Sequence, residues 1–401
     1  MALAHSPSVA TTGLVLVYDM NNTGRSWKGA PTTNLVPYPY ADWNGSNFVF
    51  GNYIYDATGT QTFTYVTDVS NPIGSPAVMQ YTTGTTGYKY WAVQGTIATT
   101  GTHTFSYYAR IVSGPAATSN LSNSQLWRSN GVDQAVTGDW NPTYTTNWVR
   151  YSTTGPCTAG TVLDYFPIHS GGLTGGYTIQ YCGFQLELGT YATPFVNGTR
   201  SNTQALLDPT GQNTLTATSL TYASNNTFSF NGTDGTITSP NSSALQVGAT
   251  FTLNTWINAS SLAARHGVFS TRTANDAGSW QLEVGTANSG AGRIAITGIG
   301  TFIWESSSNV IATNIWYNIC VVKANNAEQG ASVYLNGVLL TPGATTAYTI
   351  LDNNNAKAVG QGTSSTQFFS GSISSVSLYN RALSANEVMQ NFNAFRGRYG
   401  V

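Results

Sequence analysis

Charged residues are scarce in this sequence. Its 401 residues include 15 Lys and Arg and 16 Asp and Glu, so charged side chains make up 8% and the formal net charge is -1. An average soluble domain is roughly one quarter charged. So few cations cannot neutralise a row of phosphates or hold an anionic bilayer, which excludes nucleic acid and membrane surfaces as partners. Long exposed helices, which depend on Glu–Lys pairs, are disfavoured too.

Cysteine and long apolar runs are also lacking. The three cysteines show no C-x-x-C spacing, so we expect no zinc site from them. Cys157 and Cys182 could pair, although buried free thiols are the commoner use of scattered cysteines. No stretch approaches the length of a membrane span, and Met1–Ser8 lacks the basic start of a signal peptide. We therefore expect no membrane insertion, and synthesis in a cytoplasm or removal of a leader.

What the sequence does have is aromatic, β-branched and turn-forming residues. Aromatic residues make up 12%, and there are 42 glycines. Short apolar runs alternate with Gly, Asn, Ser, Thr and Pro, a pattern that favours strands of an all-β sandwich. The clearest runs are Gly13–Asp19, Thr102–Ile111, Phe251–Asn258, Trp316–Lys323 and Ala331–Leu340. Within the last run, Asn336-Gly337 predicts a two-residue hairpin turn.

One helix is predicted, near the C-terminus. Ser384 and Glu387 have the spacing of a capping box, in which each side chain bonds the other residue's backbone amide. Val388, Met389, Phe392 and Phe395 follow at helical spacing. We expect this apolar stripe to dock the helix on a neighbouring sheet.

The part of the chain after residue 198 resembles the concanavalin A-like lectin/glucanase superfamily in its laminin G-like form. The resemblance rests on Phe228–Ile237, Phe251–Ile257, Trp316–Val338 and Phe369–Ser384, which follow one another in the order of that family's strand motifs. Gly13–Asn22 is similar to the first strand of the same domain. The resemblance therefore implies a discontinuous sandwich, residues 1–36 plus 199–401, with residues 37–198 inserted at a loop.

The insert resembles jelly-roll carbohydrate-binding modules. Trp148-Val-Arg-Tyr-Ser152 is similar to one of their strands, and Cys182–Gly189 with Ala192–Phe195 is similar to their closing motif. The fold class is thus all-β, with two β-sandwich or jelly-roll domains, one inserted in the other, and a short C-terminal α-helix.

Both ends of the chain resemble virion proteins of tailed bacteriophages that carry laminin G-like domains. The matching segments are Ser6–Leu16 and Tyr379–Gly400. This resemblance implies a structural protein of the virion surface, as capsid decoration, head fibre or short tail-fibre subunit, made in the host cytoplasm. Its expected partners are other capsid or tail proteins, further copies of itself and host-surface polysaccharide.

Catalytic motifs are absent from the sequence. The superfamily's glucanases carry an E-x-D-x-x-E strand, which is missing here, and Glu187 and Glu283 each lack an acidic neighbour in their own strand. The four histidines stand in no G-x-S-x-G context and are too dispersed for zinc. We therefore predict no enzyme activity, and glycoside hydrolysis is the less favoured alternative.

Calcium is the one metal that the resemblance raises. Asp208 and Asp234 lie in turn sequences and are the candidate ligands. The competing interpretation, which we favour, is that each carboxylate caps its own turn. No other cofactor is predicted.

Sugar binding needs exposed rings that stack on pyranose faces, with amides and hydroxyls nearby. In the insert, Trp127, Trp140 and Tyr144 stand in loop-like contexts and are the main candidates, and Trp304 is a weaker candidate in the second domain. Trp91 and Trp148 stand in strand patterns, which favour the core. The predicted function is a virion surface protein that binds host glycans, and the alternative is a bacterial lectin-like protein without a virion role.

Overall fold

The structure is a computed structural model of the chain. It describes residues 8–36, 54–56, 61–75, 77–84, 89–116, 118–120, 127–139, 142–170, 176–222, 228–271, 277–285, 291–351, 354–362 and 366–401. The chain divides into two compact units. Unit 1 comprises Met1–Ala30 and Ser201–Val401, and unit 2 comprises Pro31–Arg200. The sequence analysis placed the divisions after residues 36 and 198.

Strands are numbered along the chain. Unit 1 begins with β1 (Leu14–Asp19). Unit 2 then supplies β2 (Thr32–Thr33), β3 (Ile54–Asp56), β4 (Thr62–Val66), β5 (Val78–Thr82), β6 (Lys89–Thr96), β7 (Gly101–Ser113), β8 (Thr118–Asn120), β9 (Trp127–Ser129), β10 (Val132–Asp133), β11 (Thr137–Gly138), β12 (Thr143–Thr145), β13 (Val149–Cys157), β14 (Val162–Ser170), β15 (Thr178–Leu188) and β16 (Thr199–Arg200).

The chain then returns to unit 1. Its strands there are β17 (Thr216–Thr218), β18 (Leu220–Tyr222), β19 (Phe228–Asn231), β20 (Thr236–Ser239), β21 (Phe251–Ala259), β22 (Arg265–Ser270), β23 (Gln281–Gly285), β24 (Arg293–Gly298), β25 (Thr301–Ser306), β26 (Trp316–Lys323), β27 (Ala331–Leu335), β28 (Val338–Leu339), β29 (Pro342–Thr345), β30 (Lys357–Val359) and β31 (Ser370–Tyr379). A 3-10 turn spans Ser243–Leu245, and the helix α1 spans Ala385–Tyr399. The predicted all-β class is confirmed.

Unit 1 is built from two sheets. One has the order β18-β19-β31-β21-β26-β27-β28, with β1 paired to β31, and the other has the order β17-β20-β30-β22-β23-β24-β25-β29. Alternation along β21 shows how the core forms, because successive side chains point to opposite faces of a sheet. Phe251, Leu253 and Ile257 join the core between the sheets. Trp256 lies on the other face, which α1 covers.

The helix α1 begins as predicted. The Ser384 hydroxyl accepts a hydrogen bond from the Glu387 amide, and the Glu387 carboxylate accepts one from the Ser384 amide, so the capping box is confirmed. Val388 and Phe392 are buried against the sheet, but Met389 is 40% exposed, so it does not belong to the docking stripe. Within the described residues, no helix has the length and apolar character needed to cross a bilayer.

The Asn336-Gly337 hairpin is confirmed as well. These residues join β27 to β28, and Leu335 pairs with Val338. Both turn residues have positive φ, 50° for Asn336 and 78° for Gly337, which is the backbone of a type I′ turn.

Unit 2 is a second sandwich. Its larger sheets have the orders β10-β9-β14-β6-β3 and β11-β13-β7-β15-β5-β4. Aromatic rings dominate the core between them. The rings of Trp91, Phe105, Tyr107, Tyr165 and Tyr181 are fully buried. The two ends of the unit run side by side, because β2 pairs with β16.

Candidate functional site

Three of the four predicted glycan-binding rings are buried. Trp127 and Trp304 are each 1% exposed, and Tyr144 is fully buried. The prediction that these rings are available for stacking is wrong. The fourth candidate, Trp140, lies outside the described residues.

The burial has clear local causes. Trp127 is the first residue of β9, and its ring packs edge-on against Tyr165 with 5.9 Å between centroids. The Tyr144 hydroxyl is 2.7 Å from the Tyr107 hydroxyl and donates to the Pro167 carbonyl at 2.8 Å. Trp304 belongs to the main core of unit 1. The Gly- and Asn-rich neighbours that suggested loops thus flank strands whose aromatic side chains point inward.

Asp208 and Asp234, the candidate calcium ligands, both bond turn atoms. The Asp208 carboxylate accepts hydrogen bonds from the Thr210 amide and hydroxyl, the Asn213 side chain and the Val17 amide. Asp234 accepts from Asn231, and this hydrogen bond is the main cause of its lowered pKa. In the described part of the chain, no three His, Cys, Asp or Glu side chains gather as a metal site. Calcium binding stays the less favoured, untested alternative, and a cation at Asp208 would have to replace these donors.

Cys157 and Cys182 are not joined in a disulfide; both are free and buried, as is Cys320. Burial raises the pKa of the Cys157 thiol to about 11 and that of the other two further still. A thiol that stays protonated is a poor nucleophile, so none of the three is suited to covalent catalysis.

Glu283 has an acidic neighbour that its own strand did not reveal. It pairs with Ala295 across β23 and β24, and Ala295 pairs with Glu305 across β24 and β25, so the two carboxylates share one face of the sheet. However, Glu283 is engaged by Arg265, whose Nη2 lies 2.7 Å from Oε2, and by the side-chain amide of Gln281. In unit 2, the buried Glu187 accepts from Gln185 and Thr193. Neither Glu187 nor Glu283 is therefore free to act as an acid or a base.

A different group of side chains lies on the large sheet of unit 2, on the face turned away from the aromatic core. Alternation along β7 places Tyr108 and Arg110 on this face, because Tyr107 and Ala109 point into the core. Across the ladder, Tyr108 pairs with Arg150 of β13. Trp148 stands two residues before Arg150. We call Tyr108, Arg110, Trp148 and Arg150 the Arg–aromatic face.

Arg110 is the better anchored of the two cations. Its guanidinium carbon lies 5.1 Å from the centroid of the Trp148 ring. Its Nε donates to Gln180 at 2.9 Å, and its Nη2 donates to Asp68 at 2.5 Å. Burial would raise the pKa of Asp68, but hydrogen bonds from Ser70 and the charge of Arg110 together lower it below the ordinary value. The ion pair therefore fixes the guanidinium at the ring.

Arg150 is held in the same manner. Its guanidinium carbon lies 5.5 Å from the Tyr108 centroid, and its Nη2 donates to the Ser106 hydroxyl at 2.8 Å. Burial lowers the pKa of this guanidinium, partly offset by Tyr108 and Glu187. Its Nε and the indole Nε1 of Trp148 are both shielded from solvent without a hydrogen-bond acceptor.

The chemistry of this face suits sugars. Half-buried rings present flat apolar surface, and guanidinium groups donate paired hydrogen bonds to hydroxyl or carboxylate oxygens. The sequence analysis missed it because Trp148 was assigned to the core, whereas the structure leaves it half-buried. The spacing of Tyr108-x-Arg110 and Trp148-x-Arg150 was the signal in the sequence that could have revealed this face. Trp91, by contrast, is fully buried as expected.

Comparison with known proteins bears on unit 1. The sequence profile of the concanavalin A-like lectin/glucanase superfamily, in its laminin G form, matches residues 231–389. This part of the chain therefore has a concanavalin A-like domain. No curated protein sequence matches the chain.

Solved structures resemble parts of the chain. The binding domain of botulinum neurotoxin serotype G is 19% identical with a TM-score of 0.36, over 47% of this chain and 48% of that one. Domain 4 of AbnA, an arabinanase of Geobacillus stearothermophilus solved with arabinotriose, is 19% identical with a TM-score of 0.37, over 48% and 92%. The CBM40 of a Ruminococcus gnavus sialidase, bound to α2,3 sialyllactose, is 14% identical with a TM-score of 0.30, over 35% and 81%. The chain thus spans about half of the toxin domain.

Proposed function

We propose that the protein is a non-catalytic glycan-binding protein that holds its ligand on the Arg–aromatic face. The observation that carries the proposal is the pairing of two guanidiniums with two rings, Arg110 with Trp148 and Arg150 with Tyr108. The rings supply stacking surface, and the guanidiniums supply donors directed at sugar oxygens.

The surroundings of the face agree with a sugar ligand. Ser106 and Ser152 lie side by side on β7 and β13, and Gln80 and Gln180 continue the same face across β15 and β5. Ser106 and Gln180 are buried and hold Arg150 and Arg110. Ser152 and Gln80 are partly exposed, so these two are the groups able to bond ring hydroxyls. The carboxylates of Glu187 and Glu283 are engaged by their own neighbours, which supports binding without turnover.

The biological setting that we propose is the surface of a bacteriophage particle, as capsid decoration, head fibre or short tail-fibre subunit. Support comes from the two terminal segments, Ser6–Leu16 and Tyr379–Gly400, which resemble virion proteins. Expected partners are capsid or tail proteins and further copies of the chain. A low-charge surface packs densely around a particle without self-repulsion. The alternatives remain a bacterial lectin-like protein and, less favoured, a hydrolase.

A glycan array tests the binding function. We expect the full chain to bind a bacterial envelope polysaccharide, and Tyr108→Ala to lose at least about tenfold in affinity, the equivalent of about 1.4 kcal/mol. Arg128→Ala is the matched control, since Arg128 also lies over a ring in unit 2, that of Phe166. A blank array, or equal losses in both variants, would remove the Arg–aromatic face as the site.

The virion setting needs a separate test. Mass spectrometry of purified particles from an infected host culture should detect the chain at a stoichiometry set by particle symmetry. Its absence from the particles, with glycan binding intact, would favour the bacterial lectin-like alternative. Release of shortened sugars from a bound polysaccharide would establish the hydrolase.

A further inference from the structure

A cavity lies in unit 1, beside the last turn of α1. Its volume is about 190 Å³, and the side chains around it include Asn21, Trp316, Ser372, Ser374, Arg398 and Tyr399. Sites for drug-sized ligands are larger, roughly 300–1,000 Å³. The cavity therefore suits a ligand of about one sugar ring.

Two aromatic rings form one side of the cavity, and both are fixed before any ligand arrives. The Tyr399 ring stacks on Trp256 with 4.3 Å between centroids, and Trp316 lies 4.6 Å from Tyr399 at an angle of 42°. The Tyr399 hydroxyl shares a hydrogen bond with Ser374. Rings that are already ordered bind without losing side-chain entropy.

Polar groups complete the cavity. The Ser372 hydroxyl donates to the Phe228 carbonyl at 3.2 Å, which leaves its oxygen able to accept. Asn21 is exposed at the cavity. The Arg398 guanidinium is positioned by Asp19, whose Oδ2 lies 2.7 Å from Nη1, and by the Phe395 ring at 4.4 Å. Its remaining N–H groups can donate to hydroxyl oxygens.

The electrostatics favour a neutral ligand. Asp19 compensates the charge of Arg398. The cavity also adjoins the C-terminal end of α1, where the aligned peptide dipoles place partial negative charge. Arg398 is thus already paired, so a carboxylate or sulfate would gain no net attraction from it, whereas a neutral hydroxyl-rich ring needs none.

An open groove continues from the cavity. It has a volume of about 850 Å³, shares Arg398 with the cavity, and is also lined by Asn22, Asn393 and Phe395. A sugar chain with its terminal ring in the cavity would have room for further units in this groove. Those units would lie beside the side-chain amides of Asn22 and Asn393 and the ring of Phe395.

We propose that this cavity is a second glycan site, which takes one neutral pyranose ring at the end of a longer chain. It uses none of the residues of the Arg–aromatic face, and all of its lining belongs to unit 1. The protein would thus carry two sugar sites of different selectivity on one chain.

Saturation-transfer NMR on the full chain tests this proposal, with the methyl glycosides of glucose, galactose, mannose and fucose as neutral probes and methyl glucuronide as the anionic one. We expect transfer to at least one neutral probe and, in the Tyr108→Ala variant, which disables the Arg–aromatic face, none to the glucuronide. Asn21→Trp, which fills the cavity from an exposed turn, should weaken that binding at least about tenfold. Thr23→Trp, on the same turn but outside the lining, should leave it within about twofold.

Four results would overturn the proposal. They are no transfer to any neutral probe, equal transfer to the glucuronide in Tyr108→Ala, binding that Asn21→Trp leaves unchanged, and loss of the neutral signal in Tyr108→Ala. Tyr108→Ala separates the two sites, because it should not affect the neutral probe. If it abolishes that signal, the sugar occupies unit 2 and the cavity is not a site. Trp316→Leu, checked for folding by circular dichroism, should reproduce the loss seen with Asn21→Trp.

Discussion

The guanidinium of Arg110 lies over the indole of Trp148, with 5.1 Å from its central carbon to the ring centroid, while Asp68 and Gln180 accept its hydrogen bonds. Arg110→Lys keeps the charge but loses the planar fork that meets the ring and both acceptors at once. We expect glycan affinity to fall about tenfold, measured by isothermal titration calorimetry. Arg128→Lys should change it little. If Arg110→Lys binds glycan with the affinity of the parent, the Arg–aromatic face acts through charge alone.

Truncation of Trp127 should lower the stability of the protein, whereas truncation of Tyr108 should lower its affinity for glycan. Trp127→Ala empties a site in the core of unit 2, so we expect a loss of about 3–5 kcal/mol in unfolding free energy, measured with urea. The part of the sample that remains folded should bind glycan as the parent does. Loss of binding at unchanged stability would restore Trp127 as a ligand-contacting ring.

The helix cap should give a pH-dependent contribution to stability. The Arg381 side chain and the Ser384 amide lower the pKa of Glu387 to about 2, from an ordinary value of 4.5. A carboxylate whose pKa is lower in the folded state stabilises the protein above the unfolded pKa, and this contribution is lost as the pH falls from about 4.5 to about 2. We expect Glu387→Gln to flatten the dependence of Tm on pH in that window.

Glu328→Gln is the control for this experiment, because Glu328 is exposed in the loop between β26 and β27. Ser384→Ala should cost about 0.5–2 kcal/mol at neutral pH, the usual value of an N-cap. If the Tm of Glu387→Gln fell with pH as that of the parent does between pH 4.5 and pH 2, this pH dependence would not come from Glu387.

The three cysteines should be inert in the native protein. Burial raises the pKa of each thiol, so the reactive thiolate is scarce at neutral pH. We expect Ellman's reagent to label three thiols in guanidinium chloride and essentially none without it. Two thiols missing after denaturation would reveal a disulfide between Cys157 and Cys182.

Unit 1 should fold without unit 2. Trp27 pairs with Leu206, so the two chain segments of unit 1 already run side by side close to the division. We expect replacement of residues 31–200 by a Gly-Ser linker of about four residues to leave a cooperatively folding unit. Calorimetry should show one transition, and the neutral-sugar signal should persist. A molten, aggregating product would show that the units depend on each other.

Much of the fold could be predicted from local chemistry. The Ser384–Glu387 box and the Asn336-Gly337 turn act within a few residues, so their structures follow from the sequence alone. The strand runs were recognisable because β-branched and aromatic residues cluster between turn formers. Met389 was misassigned, since helical spacing does not show how wide a face the sheet covers.

The functional faces were much harder to predict. Trp127 and Trp148 both stand beside polar residues, and only the pairing of whole strands decides that one ring is buried and the other half-buried. Glu283 and Glu305 are 22 positions apart in the sequence, yet two ladders bring them to one face. Register between distant strands carries this information, and a single sequence does not display it.

The chain leaves and re-enters unit 2 through adjacent paired segments, Thr32–Thr33 and Thr199–Arg200. A recombination event that exchanged everything between these two points would replace unit 2 by another domain with its ends already matched. Under the proposed function, the glycan that the protein binds would then change in one step, while unit 1 keeps its own sequence.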